Sequence, residues 1–403
     1  MNFVIENHVL KQCIAEFGDT NAIVPDGVTS IGEIAFYGCI SLKEIHLPDS
    51  VTSIGESAFF VCVSLQKIHL PDSMTSIENA VFLGCESLQE IHLPNSITSI
   101  GEIAFSGCKS LKKIHLPDKI TSIGDSAFSG CESLQEIHLP NSVTSIGERA
   151  FADCESLREI HLPDRITSIG DSTFAGCKSL QKIHLPDKIT SIGDSAFSGC
   201  ESLQEIHLPD KITSIGINAF YGCKSLQEIH LPNGITSILG CTFYCCEALQ
   251  KINLPNSITE IVDNAFSGCK SLQEVHLSDG ITSIGEKAFM DCESLREINL
   301  PDSITSIEYL AFANCNSLQE IRLPDNIAHI NAMAFENCKS LQNITFRGMT
   351  FPIDTDSSIC DTIRVIHKEF SSRGVIFEIA MDSEWQEMLF KELEKISKLH
   401  GEN

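Results

Sequence analysis

The sequence has few basic residues and almost no aromatic residues other than phenylalanine. Its 403 residues include 22 Phe but only 4 Tyr and 1 Trp, so a phenylalanine must hold a core position that recurs along the chain. The 28 Lys and Arg residues stand against 54 Asp and Glu, a formal net charge of -26. Such a surface repels phosphate backbones and anionic lipids. We therefore expect no nucleic-acid partner.

Targeting and membrane signals are also missing. Residues 1–8 lack the basic start and the unbroken apolar stretch of a secretory signal. No apolar run approaches the roughly 20 residues that cross a bilayer. As written, the chain is expected to be soluble, cytoplasmic and not inserted in a membrane. The alternative is the cell surface, or secretion by a non-classical route.

Catalytic signatures are absent too. We find no Gly-rich phosphate loop, no pair of Cys-x-x-Cys motifs, no His-Glu-x-x-His and no nucleophile elbow. Catalysis needs a few specific side chains held together in one site, whereas nearly every polar residue of this sequence recurs at the equivalent position of the next repeat. We expect no enzyme and no cofactor. Any activity would lie in residues 347–403, where Cys360, Asp361 and His367 are not repeated.

What the sequence does contain is a repeat of 23 residues, which continues without insertion or deletion through fourteen units. A short fixed period of this kind predicts a solenoid, in which each unit covers the apolar faces of its neighbours. One phenylalanine of each unit marks the register: Phe36, Phe59, Phe82, Phe105, Phe128, Phe151, Phe174, Phe197, Phe220, Phe243, Phe266, Phe289, Phe312 and Phe335.

The second unit shows what each repeat position is expected to do. Residues 42–47 alternate apolar and polar, which predicts a short strand with its apolar side chains pointing inward. Pro48 ends that strand because it lacks an amide donor. Residues 51–54 are rich in β-branched side chains and favour a second short strand. Gly55 permits a bend, after which residues 58–62 are predicted to form a single helical turn.

The pattern Leu-x-x-Ile-x-Leu-Pro-Asp-x-Ile-Thr-Ser-Ile-Gly-x-x-Ala-Phe-x-x-Cys resembles the BspA-type class of leucine-rich repeat over residues 23–346. Residues 2–36 resemble the start of that family's domains. We therefore predict a β-rich leucine-rich-repeat solenoid, a right-handed coil with a parallel concave sheet, a second short strand and one helical turn per repeat. The resemblance implies adhesion or protein recognition, often at the surface of bacteria or protozoan parasites, and not catalysis.

The ends of the chain depart from the period. Residues 1–22 are predicted to form an N-terminal hairpin cap, and residues 23–346 the solenoid of about 14 repeats. Residues 347–403 are predicted to form a C-terminal cap or a small α/β module, with a final helix that begins at Ser383 and contains Trp385. A partner-binding helix or an effector module is the alternative for this region.

Fourteen of the 18 cysteines occupy one repeat position, three residues after the phenylalanine. A small apolar group beside a buried ring fits a core, and reduced thiols suit a cytosolic chain. We therefore predict buried free thiols, with disulfides between stacked neighbours as the alternative. A metal or redox site at the cluster Cys241, Cys245 and Cys246 is a further alternative, but one divergent turn is the favoured explanation of this cluster.

Stacking turns each outward strand position into a column of side chains. One column is histidine, and beside it lies a column of Glu and Lys in which no two lysines adjoin. Three interpretations of the histidines stay open: stacked neutral rings on a solvated face, a recognition surface, or metal binding, which a linear row does not favour because it cannot converge tetrahedrally. The recognition interpretation places a protein partner on the concave face, at His69, His92, His115, His138, His161, His184, His207, His230, Glu90, Glu136, Glu205 and Lys182.

Regular columns also have a simpler origin. Residues 178–209 repeat residues 109–140 with one change, so duplication alone produces uniform faces. The leading hypothesis is a monomeric interaction or adhesion scaffold. The alternative is a structural or pH-responsive solenoid, because each charged imidazolium raises the cost of charging the next, so that the column charges progressively in acid.

Overall fold

Each 23-residue repeat folds into one coil with two short strands and a long turn segment. The computed structural model describes residues 1–16, 18–331, 333–353, 362, 363, 365, 366 and 378–380. The coils belong to two compact units, residues 1–235 and 236–403. We number the coils one to fourteen by their phenylalanines, from Phe36 to Phe335.

The first unit begins with a hairpin and continues as an alternation of first and second strands. A three-residue strand such as Glu44–His46 buries its central isoleucine and exposes the residues on both sides, as strand periodicity requires. The strands are, in chain order, β1 (Asn2–Glu6), β2 (Val9–Ile14), β3 (Asn21–Ile23), β4 (Ser30–Ile31), β5 (Glu44–His46), β6 (Ser53–Ile54), β7 (Lys67–His69), β8 (Ser76–Ile77), β9 (Glu90–His92), β10 (Ser99–Ile100), β11 (Lys113–His115), β12 (Ser122–Ile123), β13 (Glu136–His138), β14 (Ser145–Ile146), β15 (Glu159–His161), β16 (Ser168–Ile169), β17 (Lys182–His184), β18 (Ser191–Ile192), β19 (Glu205–Ile206), β20 (Ser214–Ile215) and β21 (Glu228–His230).

Strand pairing in the first unit joins residues 23 apart. The first strands β3, β5, β7, β9, β11, β13, β15 and β17 form one parallel sheet, and β19 pairs with β21 in the same sense. The second strands form shorter parallel sheets, β8 to β14 and β16 to β20. At the N-terminus, β1 pairs with β2 antiparallel, and β2 pairs in parallel with β4. The solenoid expected from the period is therefore confirmed.

The second unit repeats this plan. Here β23, β25 and β27 form a parallel sheet of first strands, the second strands run from β22 to β30, and β33 pairs in parallel with β30. Its strands are β22 (Ser237–Ile238), β23 (Lys251–Asn253), β24 (Glu260–Ile261), β25 (Glu274–His276), β26 (Ser283–Ile284), β27 (Glu297–Asn299), β28 (Ser306–Ile307), β29 (Glu320–Leu323), β30 (His329–Asn331), β31 (Asn343–Phe346), β32 (Met349–Pro352) and β33 (Glu378–Ala380).

The core of each unit is built around its stacked phenylalanines. The rings of Phe105 and Phe128 lie 5.4 Å apart between centroids with an interplanar angle of 1°, and both side chains are fully buried. In the second unit, Phe289 and Phe312 are also 5.4 Å apart, at 2°. Residues one period apart in sequence are thus neighbours in space, which is the premise of every column described below.

The segment after the second strand differs from the prediction, because it is not a helical turn. In coil five, Ser126, Phe128 and Gly130 donate their N–H groups to carbonyls of the next coil at 2.7–2.8 Å, whereas Ser129 donates to Ser126 O at 3.0 Å. Every second amide of the segment therefore donates a hydrogen bond to the next coil. Intervening amides such as that of Ser129 donate within their own coil and form tight turns. An α-helix needs nearly every amide for its own i−4 carbonyl, so cross-coil bonding and helix formation exclude each other here.

In coils one to thirteen, two residues of this segment adopt the left-handed backbone conformation, which also interrupts a helix. In coil five these are Ser126 (φ 53) and Gly130 (φ 71). Glycine accepts this conformation freely, but β-branched side chains strain it. Coil four nevertheless has Ile103 at the first of these positions, with φ 48. The bonds to the neighbouring coil therefore determine the local backbone more strongly than side-chain preference does.

Only part of the C-terminal region is described. Residues 362–363 and 365–366 are helical, and Ile363 and Ile366 are buried. Cys360, Asp361, His367 and the helix predicted from Ser383 lie outside the described residues. The division into cap, solenoid and C-terminal module, and the effector alternative, therefore stay predictions.

Candidate functional site

The outward side chains of the first strands form one continuous exposed surface on the first unit. We call it the strand face and define it as the residues on either side of the buried central isoleucine, from Glu44 and His46 to Glu228 and His230. Because strand residues alternate between the two sides of a sheet, the residue type at each outward position becomes a column. The strand face is therefore a direct product of the 23-residue period.

All twelve residues predicted as partner-binding lie on the strand face, and all are exposed. Strand register brings many of the histidines side by side in parallel pairs. The pairs are His46 with His69, His69 with His92, His92 with His115, His115 with His138, and His161 with His184.

The charged column next to the histidines is paired largely by opposite sign. Lys113 Nζ lies 2.6 Å from Glu136 Oε1, and Lys182 Nζ lies 3.9 Å from Glu205 Oε1. The hydrogen bond from Lys113 holds the pKa of Glu136 below its ordinary value. These pairs are well exposed, so they contribute little to stability and are weakened by salt. In the second unit, Lys251 and Glu274 are 3.2 Å apart.

In the first unit, two places in the column put like charges beside each other. Glu136 is in register with Glu159, and Glu205 is in register with Glu228. Like charges opposite one another on a sheet are unfavourable, so neither contact supports the fold. An incoming positive group would relieve the repulsion at both places.

The strand face is hollowed into two grooves. The larger one encloses about 1030 Å³ and is lined by Glu159, His161, Lys182, Ile183, His184, Gln204, Glu205, Ile206, His207, Gln227, Glu228 and His230. The smaller one, of about 600 Å³, is lined by residues of β5 to β11. Six of the twelve predicted residues line the larger groove, and His69, Glu90, His92 and His115 line the smaller one.

Sequence reasoning missed part of the larger groove. Gln204 and Gln227 line it although they precede their strands. The signal was available, because glutamine recurs at this position in most coils. Alternation within the strand alone could not show that a residue before the strand also reaches the groove.

The histidines do not converge on a metal. Among the residues that the structure describes, no group of three or more His, Cys, Asp or Glu side chains is placed to hold an ion. Parallel strands keep equivalent side chains in a row, whereas a tetrahedral site needs ligands that approach one point from several directions. The cluster at Cys241, Cys245 and Cys246 also contains no such group.

The repeated cysteines are buried free thiols, as predicted, and within the described part of the chain every cysteine is free. Burial raises the pKa of Cys85 to about 12 and that of Cys108 well above its usual range. The repeated thiols of coils two to nine also link coils. Cys108 Sγ, for example, donates to Phe82 O at 3.3 Å, a carbonyl that also accepts the N–H of Cys85 at 3.1 Å. These thiols are structural groups, remote from the strand face.

The described residues contain no helix that is both long and apolar enough to cross a membrane.

Comparison with solved structures gives bacterial leucine-rich-repeat proteins. The chain is 35% identical to a leucine-rich repeat protein from Bacteroides ovatus, covering 85% of this chain and 91% of that one, with a TM-score of 0.76. It is 27% identical to a leucine rich cell surface protein from Faecalibacterium prausnitzii, covering 86% and 93%, with a TM-score of 0.52. The pneumococcal vaccine antigen PcpA, 18% identical with coverage of 86% and 96% and a TM-score of 0.54, supports the fold alone.

No match was found among curated proteins. The family profile described as BspA type Leucine rich repeat region (6 copies) matches residues 5–135, 121–247, 191–315 and 236–357. Members of this fold are in general interaction or adhesion scaffolds and typically not enzymes. The repeat pattern, the stacked coils and the profile agree, and the chain belongs to the BspA-type leucine-rich repeat family.

Proposed function

We propose that the strand face of the first unit binds a protein partner and that the larger groove is the centre of the contact. The observation that carries this proposal is a groove of about 1030 Å³ lined mainly by exposed polar and charged side chains. The core needs none of them, because the apolar side chains beneath fill it without their help. A polar surface on a rigid sheet suits recognition by hydrogen bonds and charge.

The charges of the groove indicate what the partner offers. The groove is lined by three carboxylates, Glu159, Glu205 and Glu228, and by one cation, Lys182. Its net charge is therefore negative when its imidazoles are neutral. The like-charged neighbours Glu205 and Glu228 favour an arginine or lysine placed between them. Imidazole rings both donate and accept hydrogen bonds and can bind the partner's backbone. We therefore expect a partner segment rich in basic and polar side chains.

A set of four substitutions tests the proposal. Replacing His161, His184, His207 and His230 by Ser keeps the backbone ladder and removes the imidazoles that line the larger groove. We expect capture of a binding protein from native extracts to fall at least tenfold. The captured protein is identified by mass spectrometry and its affinity is then measured with the purified pair.

The matched control changes four equivalent histidines elsewhere on the same face. Replacing His46, His69, His92 and His115 by Ser alters the chain's chemistry and charge to the same extent but leaves the larger groove intact. Capture should then stay close to the unsubstituted level. Equal loss in the two variants would contradict a site centred on the larger groove.

A second candidate function rests on the register of the histidines. Because imidazoles such as those of His115 and His138 face each other on adjacent strands, their protonation would place like charges side by side and weaken the contact between coils. The column would then act as a pH-responsive element. If both variants retain the partner and both unfold at a lower pH than the unsubstituted chain, this function replaces the first.

We also propose that the chain is exposed at a cell surface. The neighbour from F. prausnitzii is described as a cell surface protein, and this supports the surface alternative over the cytoplasmic expectation. Protease treatment of intact cells tests it. We expect the protease to remove the chain from intact cells while a cytosolic marker is preserved. Full protection of the chain would instead support the cytoplasmic expectation.

A further inference from the structure

The turn segments of the first three coils carry a second surface, which is apolar. Ile34, Tyr37 and Ile40 of coil one are 53%, 59% and 60% exposed. The ring of Tyr37 lies 5.4 Å from that of Phe60 in coil two, and Phe60 is half-buried. We define the apolar patch as Ile34, Tyr37, Ile40, Phe60, Val63 and Leu83.

Hydrogen bonds between turn segments hold the patch together. Gly38 N–H, next to Tyr37, donates to Phe60 O at 3.0 Å, and Val61 N–H donates to Leu83 O at 2.8 Å. The residues of the patch therefore follow one another from coil to coil as columns. The patch belongs wholly to the first unit and does not overlap the strand face.

The repeat itself shows that the fold does not require apolar side chains here. In coil five, Ser129 stands at the position of Tyr37, and Glu132 at the position of Ile40. In coil four the position of Ile40 holds Lys109, whose Nζ pairs with Glu86 of coil three at 2.9 Å. Coils with polar residues at these positions fold like the first. An exposed apolar cluster that stability does not explain marks an interaction surface.

The charges beside the patch restrict its occupant. Glu33 precedes Ile34 in coil one, and Glu56 occupies the equivalent position in coil two; both are exposed. The whole chain has a net charge of -26. A second copy would bring one acidic border onto another, and an anionic membrane would be repelled in the same way. A basic, amphipathic segment is attracted by the border and buries its apolar side chains on the patch.

We propose that the apolar patch is a docking site for an amphipathic, lysine- or arginine-rich segment of a partner protein. The patch supplies the anchor for aliphatic or aromatic side chains, and the neighbouring carboxylates select the basic residues that flank them. This site is separate from the strand face, so either proposal can fail without the other.

The repeat also supplies the test variant. The triple substitution Ile34→Ser, Tyr37→Ser and Ile40→Glu gives coil one the residues that coil five has at these positions, so the variant is expected to fold, and circular dichroism verifies this. The probe is a labelled 18-residue peptide of Leu and Lys ordered as an amphipathic helix, titrated against the full chain by fluorescence anisotropy. We expect the variant to bind it at least tenfold more weakly than the unsubstituted chain.

Two control peptides separate docking from adsorption to an acidic surface. One has the same composition in scrambled order, and the other has Glu in place of Lys. Both should bind the two proteins equally weakly. Equal affinity of the unsubstituted chain and the variant for the ordered Leu/Lys peptide would overturn the proposal. So would a concentration-dependent dimer in sedimentation that the variant loses, because a second copy would then cover the patch.

Discussion

The buried thiols predict that the protein loses its stability in mild alkali. Burial raises the pKa of the thiols in coils three to nine: Cys85, Cys108, Cys131, Cys154, Cys177, Cys200 and Cys223. Because the pKa of each thiol is higher in the folded chain than in the unfolded chain, each thiol contributes fully to stability at pH values below its unfolded pKa. This contribution is lost as the pH rises from the unfolded pKa toward the folded pKa. The pH range in which the protein loses stability therefore begins near the ordinary pKa of a thiol.

The magnitude follows from linkage. At pH 10.5, about two units above the unfolded thiol pKa of roughly 8.5, each thiol favours unfolding by about 2.7 kcal/mol. If these seven coils unfold together, the total is about 19 kcal/mol, which is comparable to the roughly 8–24 kcal/mol expected for seven 23-residue coils at ~0.05–0.15 kcal/mol per residue. The protein should therefore lose most of its stability between pH 8 and pH 10.5.

Urea unfolding followed by far-ultraviolet circular dichroism, with a reducing agent present, measures this loss between pH 7 and pH 10.5. Toward pH 10.5, the slope of the unfolding free energy against pH should correspond to about seven protons. The substitution Cys131→Ala should lower this slope by one proton, which is about 1.4 kcal/mol per pH unit. A urea midpoint that stays constant to pH 10.5 would refute the reasoning, because the thiols would then ionise as easily folded as unfolded.

Three further predictions concern single positions. Phe128 is fully buried between two stacked rings, so Phe128→Ala should lower the free energy of unfolding by about 3–5 kcal/mol. Phe60 is only half-buried, so Phe60→Ala should lower it far less. Urea titration of the two variants measures the difference. Replacing Asn218, at φ 57, by Ile should cost about 1–2 kcal/mol because β-branched residues resist this backbone conformation, and Ile217→Asn next to it should change stability little. Replacing Lys182 by Glu joins the like-charged pairs Glu136–Glu159 and Glu205–Glu228 into a row of five carboxylates. The urea midpoint should therefore fall slightly, and 1 M NaCl should restore it.

The features predictable from sequence are those that period and polarity decide. The 23-residue interval alone places Phe105 against Phe128, and strand alternation alone turns Ile114 inward and His115 outward. The buried position of Cys108 follows from its place three residues after a core ring. None of these requires knowledge of the path of the backbone between the strands.

The turn segment could not be predicted in the same way. Gly130 gives a visible signal of a left-handed backbone, but Ser126 gives none, and its equivalents include Ile103 and Arg149. That conformation is imposed by hydrogen bonds to the next coil, on which local sequence preference has no bearing. The groove lining at Gln204 and Gln227 was missed for a similar reason, since the depth of a groove depends on how adjacent coils pack.

Photo-crosslinking tests most directly the central claim, that partners bind on the strand face. A photoreactive phenylalanine derivative replaces His184 in the larger groove in one variant, and Thr190, exposed just before the second strand of the same coil, in another. Irradiation of cells that produce each variant should give covalent adducts to a partner protein from position 184 and not from position 190. Adducts from position 190 alone, or equally from both, would contradict the claim.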